Sequence, residues 1–456
     1  MSLQNRAAEL RISLQQDGVL SVEQRKNKLE LLKKKIIAIQ PEINQALKDD
    51  LGKSAFETYT TEIGFILEEI SYTLKNLKAW TETKKVKTPL ALFPGKSFIH
   101  AEPYGVVLII SPWNYPFQLC LSPFIGAIAA GNRVVLKPSE YASHTSSLIK
   151  RLITEIFSDK EVCVVEGGLE ETQALLQQKF DYIFFTGSTA VGKVIMKSAA
   201  EYLTPVTLEL GGKSPCLIDE TANIDLAAKR IVWGKFLNAG QTCVAPDYVL
   251  IPEHLQNLLI DKMKHYLSVF YSPNVESSKD YPRIVNHRHF DRLKELITDC
   301  DVAHGGDFNR EDHFISPTIL KDVQWTDKVM EDEIFGPVLP ILTYTKIDEA
   351  VAHILKYPKP LAFYFFSEDS SQQKSIVSQI PFGGGCINDT VVHLANPHLP
   401  FGGVGTSGIG SYHGQKSFDT FSHYKSVYHQ SSVIDVPLRY PPYNENKLSW
   451  VKLFLR

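Results

Sequence analysis

The sequence predicts an α/β protein with two doubly wound domains and a small β arm. At 456 residues the chain is longer than one hydrophobic core usually serves. From Val106 to Leu210, short apolar runs alternate with stretches of about helix length, a pattern typical of a parallel, doubly wound sheet. A second alternating set begins at Ser214, so we expect a second α/β domain.

The first eighty residues are predicted to be helical. Leu29, Leu32, Ile36 and Ile39 recur at the spacing that places apolar side chains on one helix face. Pro41 stands where proline is favoured, in the first turn of the next helix. The pattern then changes to TPLALFPGKSFIHAEPYG, in which Pro94-Gly95 indicates a turn between two short extended runs. We expect a protruding hairpin there, and it is the predicted β arm.

The strands of the two sheets are predicted from their apolar runs. For the first sheet these are VVLII, NRVVLK, VCVVE, YIFFT and VTLEL, and for the second they include YVLI, ISPTIL, VLPILTY, LAFYFF and CIND. A helical segment from Ile224 to Leu237 lies within the second set.

Composition and charge favour small-molecule chemistry. A net charge of −3 and a pI near 6.5 provide no basic face for nucleic acid. The six cysteines include no C-x-x-C pair, so we read them as free thiols and expect no metal. The N-terminus lacks the pattern of a secretory signal, and together these features favour a reducing cytosol. The longest apolar stretch, Leu119 to Ala130, is shorter than the roughly 20 residues of a bilayer span, so no transmembrane helix is expected.

The string FTGSTAVGKV combines a strand end at Thr186 with a helix start near Ser188, where parallel sheets often hold phosphates. With Gly187 and Gly192 it nearly matches a P-loop, but Val194 replaces the hydroxyl that would hold magnesium, which argues against ATP hydrolysis. On its own, the glycine pair could equally mark a tight strand-to-helix turn.

Three residues are candidates for chemistry. Cys243 follows the small and polar residues of NAGQT, which give a thiol room and let backbone N–H groups reach an oxyanion. Glu209 interrupts the apolar strand VTLEL, so it is either a salt-bridged structural residue or a base in a cleft. Asn114 lies in the loop SPWNYP, where its amide could donate to an oxyanion or only cap a turn. Cys120 and Cys216 lie in apolar runs and are predicted to be packing residues.

Taken together, the motifs resemble the aldehyde dehydrogenase superfamily over nearly the full length. The matching strings are SPWNYP, VVLKPSE, FTGSTAVG, LELGGKSP, NAGQTCVAPDY, EDEIFGPVLP and LPFGGVGTSGIG. The short N-terminus, the hairpin, APDY after the cysteine, and HLANPHLPFGG followed by SYHG resemble the class 3 branch, which is typically dimeric. The resemblance implies NAD(P)-dependent oxidation of an aldehyde to a carboxylate, without a metal.

Carried onto matching positions, the resemblance implies catalytic roles that agree with the choice made from the residues alone. Cys243 is the nucleophile that forms a thiohemiacetal and then a thioester. Glu209 is the general base that activates water, and Asn114 with the Cys243 backbone N–H forms the oxyanion hole.

The resemblance also implies the cofactor contacts. Lys137 and Glu140 match a pair at the adenine ribose, although two such charges could also be a solvated pair. Thr186, Gly187, Ser188 and Val191 match the turn beside the pyrophosphate, and Glu333 and Phe335 match residues at the nicotinamide ribose and ring. Because Glu140 can accept a hydrogen bond from a ribose hydroxyl, NAD is expected, with NADP as an alternative. Phe401 is predicted to close the other side of the reactive pocket, and His413 to be structural.

The predicted division of the chain follows from the same resemblance. Residues 1–81 and 102–209 form a Rossmann-like NAD(P)-binding domain, 210–394 a catalytic domain, and 82–101 with 395–456 the bridging or oligomerisation segments and C-terminal tail. We expect a homodimer.

The substrate is predicted from the tail. RYPPYNENKLSWVKLFLR resembles the pre-anchor segment of fatty aldehyde dehydrogenases, which places medium- or long-chain aliphatic aldehydes first and aromatic aldehydes second. Surface packing is the simpler role for this segment, and weak peripheral membrane contact is the alternative. A coenzyme A-acylating dehydrogenase and a catalytically silent protein on the same fold are the alternative functions.

Overall fold

Two parallel sheets and one small antiparallel sheet organise the molecule, as seen in a computed structural model that describes residues 3–455. The α-helices are α1 (Arg6–Asp17), α2 (Val22–Ala38), α3 (Gln40–Leu51), α4 (Ala55–Thr58), α5 (Gly64–Thr81), α6 (Gln118–Ala130), α7 (Ser143–Thr154), α8 (Leu169–Leu176), α9 (Thr189–Ala200), α10 (Ile224–Phe236), α11 (Gln256–Tyr271), α12 (His287–Ile297), α13 (Ile347–Ile354), α14 (Ser370–Gln379), α15 (Gln415–Thr420) and α16 (Glu445–Phe454).

The strands are β1 (Lys84–Val86), β2 (Lys96–Pro103), β3 (Val106–Ile110), β4 (Arg133–Lys137), β5 (Val162–Val164), β6 (Tyr182–Thr186), β7 (Val206–Glu209), β8 (Pro215–Ile218), β9 (Tyr248–Pro252), β10 (Val302–His304), β11 (Phe308–Asn309), β12 (Phe314–Ile315), β13 (Thr318–Leu320), β14 (Val338–Tyr344), β15 (Ala362–Phe366), β16 (Gly384–Ile387), β17 (Gly408–Ile409) and β18 (Ser422–His429).

The first sheet has the order β17-β7-β6-β3-β4-β5 and is parallel except for β17. Alternate residues of β3 enter different cores, with Val107 and Ile109 in one and Val106 and Leu108 in the other. Both faces of the strands are therefore buried, which explains why they read as continuous apolar runs. The doubly wound arrangement predicted from the sequence is confirmed.

The second sheet has the order β10-β13-β14-β9-β8-β15-β16 and is parallel except for β10. Two predicted strands differ in detail. The run ISPTIL is divided between β12 and β13, since Pro317 lies between them and proline cannot donate to a ladder. The run CIND contributes only its first two residues to β16, which begins at Gly384.

The β arm is a three-stranded antiparallel sheet in the order β1-β2-β18. The predicted hairpin is present, but its first strand lies earlier in the chain than the predicted run TPLALF. TPLALF contains a 3₁₀ turn at Leu90–Leu92, and β1 precedes it at Lys84–Val86. The third strand comes from the C-terminal part of the chain. The exact division into domains remains a prediction.

The starts of several helices follow local sequence signals. Ser188 caps α9, where its hydroxyl accepts a hydrogen bond from the Val191 N–H at 3.4 Å, as FTGSTAVG predicts. Pro41 occupies the first turn of α3. All of α6 is buried, which accounts for its mostly apolar sequence. Among residues 3–455, no helix has both the length and the apolar character needed to span a bilayer.

Candidate active site

A cavity of about 610 Å³ opens beside Cys243. Its other walls are mostly apolar and aromatic, and they include Tyr115, Leu119, Trp233, Val391, Phe401, Tyr412 and His413. A volume of this size suits a small organic ligand, and the lining suits one whose surface is largely apolar.

Cys243 reaches this cavity at the end of an unusual loop. Helix α10 ends at Phe236. Starting two residues later, Asn238, Ala239 and Gly240 have φ values of 52°, 50° and 74°. A side chain at Gly240 would collide with the Gly336 carbonyl oxygen, since an added Cβ would lie 2.2 Å from it. The glycine of NAGQTC thus lets the cysteine loop pack directly against the EIFGP segment.

The thiol of Cys243 is partly buried, and its pKa is raised by burial and by the nearby Glu333 and Glu209 carboxylates. The backbone N–H groups of Cys243 and Val244 act in the opposite direction and lower it. A thiolate here needs a base or a polarised partner to form.

Glu209 ends β7, opposite Thr186 of β6 and Gly408 of β17. It is 2% exposed, and neither carboxylate oxygen has a hydrogen-bond partner among the described residues. Burial alone raises its pKa well above the ordinary glutamate value. Of the two interpretations left open by the sequence, a salt-bridged structural residue is wrong, because none of its described neighbours pairs with it.

Asn114 lies in the loop between β3 and α6 and is 2% exposed. Its side-chain amide donates to the Gln241 carbonyl at 3.0 Å, so it contacts the loop that carries Cys243. Asn114 and Glu209 do not line the 610 Å³ cavity, whereas Cys243 does. A hydrogen bond to Gln241 therefore joins Asn114 to the loop of Cys243, and the Glu209 carboxylate is close enough to raise the pKa of the thiol.

The residues predicted to hold the adenosine part of the cofactor lie at the carboxyl edge of the first sheet. Lys137 ends β4, and its Nζ lies 3.6 Å from a Glu140 carboxylate oxygen. Lys137 is 2% exposed and burial lowers its pKa, whereas the Glu140 side chain is 40% exposed. One charge is buried and the other faces outward, unlike a solvated surface pair.

The turn after β6 continues the same edge. The Gly187 N–H donates to the Glu209 carbonyl at 3.0 Å, and the buried Thr186 hydroxyl has no partner among the described residues. Val191 is 44% exposed on the first turn of α9. A side chain at Gly192 would meet Leu210 at 2.6 Å, so this glycine serves helix packing. An unpaired hydroxyl beside a helix N-terminus fits a bound phosphate group.

Glu333 and Phe335 belong to the EIFGP segment that packs against the cysteine loop. Glu333 packs against Gly211, and burial followed by Asp247 raises its pKa to about 8. Phe335 has a φ of 50°. The centroid of its ring lies 5.4 Å from that of the Trp113 ring in an edge-to-face arrangement. The residues predicted for the adenosine end thus lie on the first sheet, and those predicted for the nicotinamide end lie in a segment that packs against the cysteine loop.

Phe401 and His413 form part of the cavity wall, stacked with ring centroids 5.3 Å apart. Burial lowers the pKa of His413 to about 3, and its Nε2 has no partner in the described part of the chain. A neutral imidazole on a phenyl ring adds to the apolar character of the wall.

Sequence reasoning missed a buried polar network from the N-terminal helices. Lys53 Nζ pairs with Glu62 at 2.5 Å and donates to the Asn114 carbonyl at 3.0 Å. The second Glu62 oxygen accepts the backbone N–H groups of Phe117 and Gln118, at the start of α6. The only sequence signal was the set of charges in KSAFETYTTEI, within a helical stretch expected to be apolar on its buried face.

Comparisons with known proteins agree with this site. The aldehyde dehydrogenase family pattern matches residues 14–427. A 4,4'-diaponeurosporen-aldehyde dehydrogenase of Staphylococcus aureus is 51% identical over 434 residues, covering 95% of this chain and 94% of the relative. The dimeric NADP-preferring aldehyde dehydrogenase of Rattus norvegicus is 47% identical over 424 residues, covering 92% and 94%.

Among solved structures, the substrate-bound state of Staphylococcus aureus AldH superposes with a TM-score of 0.98 at 48% identity and covers all of both chains. The sequence resemblance is thus confirmed by a family match over most of the chain and by the fold. The chain belongs to the aldehyde dehydrogenase family and is an NAD(P)-dependent oxidoreductase that acts on aldehydes.

Proposed function

We propose that this enzyme oxidises apolar aldehydes to carboxylates through a thioester on Cys243, with medium- or long-chain aliphatic aldehydes as the preferred class and aromatic aldehydes second. The observation that carries the proposal is the apolar, aromatic cavity of about 610 Å³ that ends at the Cys243 thiol. Burying an apolar chain in such a cavity contributes roughly 0.8 kcal/mol for each methylene group.

In the proposed mechanism, the Cys243 thiol gives its proton to a water molecule, and its Sγ attacks the aldehyde carbon, giving a thiohemiacetal. The Asn114 amide and the Cys243 N–H hold the oxyanion. The chemistry that NAD(P) would supply when bound is a hydride acceptor for this carbon. A thioester remains on Cys243, and Glu209 takes a proton from the water that hydrolyses it. The raised pKa of Glu209 suits a base that must gain a proton and release it again.

The proposed cofactor contacts keep the roles predicted from the sequence. Lys137 and Glu140 would bind the adenine ribose, Thr186, Gly187, Ser188 and Val191 the pyrophosphate, and Glu333 and Phe335 the nicotinamide end. The outward-facing Glu140 carboxylate supports NAD as the preferred cofactor.

The first experiment is to follow cofactor reduction by absorbance with NAD or NADP and aldehydes of increasing chain length, together with benzaldehyde. Cys243→Ala is run beside the wild type, and Cys300→Ala is the matched control because Cys300 is also a partly exposed free thiol but lies outside the cavity. We expect activity to disappear only in Cys243→Ala. Turnover by that variant would contradict the proposed mechanism.

Product analysis separates the proposal from the coenzyme A-acylating alternative. A free acid formed without coenzyme A supports hydrolysis by Glu209. An acyl-coenzyme A product, with no acid in its absence, would favour the alternative. Folded wild-type protein with a free Cys243 thiol and no turnover would favour a silent protein.

We further propose a homodimer that uses the β arm. Strand β18 is an edge of the arm, and its exposed side chains include Tyr424, Val427 and Tyr428. An uncovered edge of eight residues is prone to pair with another chain. Light scattering after size exclusion should show a dimer that Val427→Lys weakens. Val433→Lys, the same change at a 90% exposed residue outside the strand, is the control.

The C-terminal helix α16 supports a weak peripheral contact with a lipid surface. It packs toward the arm through Leu448 and Val451, yet Trp450 and Leu453 remain more than half exposed. Lys452 adds positive charge near its end. Sedimentation with anionic vesicles, compared with protein truncated after Pro442, tests this contact, and fractionation of cells tests the cytosolic location predicted from the sequence.

A further inference from the structure

Glu57 is a buried carboxyl group in the cavity wall that the proposed mechanism does not use. It lies on α4, is 6% exposed, and lines the same cavity as Cys243. A buried carboxyl group carries a desolvation penalty, so its position in this mostly apolar wall calls for a physical explanation.

The contact of Glu57 is with the backbone of the cysteine loop. Its Oε1 accepts a hydrogen bond from the Asn238 N–H at 2.8 Å. Asn238 is the first of three consecutive residues with φ values between 50° and 74°. Residues other than glycine are disfavoured in this left-handed region. The loop therefore needs contacts from outside itself to keep its conformation.

Asn238 also connects the two halves of the reactive site. Its side-chain amide donates to the Asn114 carbonyl at 2.8 Å and to the Gln241 carbonyl at 3.1 Å. Glu57 therefore binds a residue, Asn238, that links the Asn114 loop to the loop of Cys243 through hydrogen bonds.

We propose that Glu57 is a positioning residue for the thioester chemistry: by holding the Asn238 N–H, it fixes the left-handed turn that presents Cys243 to the Asn114 amide. The inference rests on the proposed function and adds a residue that acts through Asn238 rather than on the aldehyde. It needs only a hydrogen-bond acceptor at this position.

The charges around Glu57 agree with a role that does not depend on full ionisation. Lys53 favours its charged form, whereas Glu62 and Asp280 oppose it. Burial is the largest effect, and with the others it leaves the pKa of Glu57 at about 7. Both protonation states of the carboxyl group contain an oxygen that can accept the Asn238 N–H. Glutamine should therefore replace Glu57 with little loss.

The test compares Glu57→Gln with Glu57→Met, which have similar length but differ in the acceptor. The first readout is the rate at which iodoacetamide alkylates Cys243, followed by mass spectrometry of its peptide. This readout does not require turnover, so it separates failure of this inference from failure of the proposed function. The second readout is the steady-state kcat and the KM for NAD.

In Glu57→Met, we expect iodoacetamide to alkylate Cys243 about tenfold more slowly than in the wild type and kcat to fall by a similar factor. The reason is that the N–H groups that stabilise the thiolate move with the loop. The KM for NAD should stay within about twofold of the wild type, since Glu57 is not among the residues predicted to contact the cofactor. Glu57→Gln should resemble the wild type in both readouts.

A matched control removes a buried carboxyl group elsewhere. Glu69 is 5% exposed on α5, and its carboxyl group binds the hydroxyls of Ser122 and Ser417. Glu69→Met should lower the unfolding temperature but leave the alkylation rate of the folded protein unchanged. If Glu57→Met folds poorly, Glu57→Asp, which is too short to reach Asn238, takes its place. Equal alkylation rates and kcat values for the acceptor and non-acceptor variants would overturn the inference.

Discussion

The side-chain amide of Asn114 lies 3.0 Å from the carbonyl oxygen of Gln241, two residues before Cys243. A loop of the first sheet is thereby tied to the loop that carries the thiol, although 127 residues separate the two partners. In the proposed mechanism, this amide turns from that carbonyl to the developing oxyanion.

Replacing Asn114 by Asp removes the donor and keeps the shape of the side chain. We expect kcat to fall about 100- to 1,000-fold, the range for losing one oxyanion-hole donor. Steady-state kinetics with a saturating aldehyde measures this. Asn132 is also buried and bonded to backbone carbonyls but lies away from the cavity, so Asn132→Asp is the control. A kcat for Asn114→Asp within a few-fold of the wild type would remove Asn114 from the proposed oxyanion hole.

Replacing Glu209 by Gln should leave thioester formation intact and slow its hydrolysis. A rapid burst of reduced cofactor followed by slow turnover is the expected trace in stopped-flow absorbance. Because only the ionised carboxylate can take a proton, hydrolysis by the wild type should rise as the pH increases through the raised pKa of Glu209. Glu209→Gln should lack this rise, and a pH profile unchanged by the substitution would contradict the assignment.

Replacing Lys53 by Met leaves Glu62 charged and buried without its partner. Both side chains are fully buried, so we expect the free energy of unfolding to drop by about 3 to 5 kcal/mol. Urea denaturation measures the change. Combining Lys53→Met with Glu62→Gln should recover part of the loss, because glutamine carries no charge but still accepts a backbone N–H. A double variant less stable than Lys53→Met would contradict this account of the pair.

Replacing Glu140 by Gln should shift the cofactor preference toward NADP. The outward-facing carboxylate repels a 2'-phosphate and accepts a bond from a ribose hydroxyl, and the neutral amide removes the repulsion. The ratio of kcat/KM for NADP to that for NAD should rise. Glu155→Gln, at a similarly exposed carboxylate on the surface, is expected to leave the ratio unchanged. No change in the ratio for Glu140→Gln would separate Glu140 from cofactor selection.

The sheets were predictable because burial on both faces leaves a local pattern of uninterrupted apolar runs, and β3, β6 and β14 begin and end where that pattern does. Strand edges near Pro317 and at the arm were less predictable, since a proline or a 3₁₀ turn interrupts pairing without changing the apolar run. Local signals fail where the partner strand decides the boundary.

The residues of the candidate site also differ in how well the sequence predicts them. Cys243, Glu209 and Asn114 each have a sequence context that suggests chemistry. Lys53, Glu57 and Glu62 have none, because the backbone groups that they bind lie far along the chain, in Asn114, Asn238 and Phe117 respectively. Contacts of this kind appear only when the helices, loops and cavity are assembled together.

The pairing of β18 with β2 also constrains how the protein is made. The eight residue pairs join positions 96–103 to 422–429, so a ribosome must have synthesised nearly the whole chain before the arm can close. Strand β17 likewise arrives late to pair with β7, the strand that ends at Glu209. Both the arm and the edge beside the proposed base therefore form only after these segments have been synthesised, and a nascent chain stalled before residue 408 would lack both.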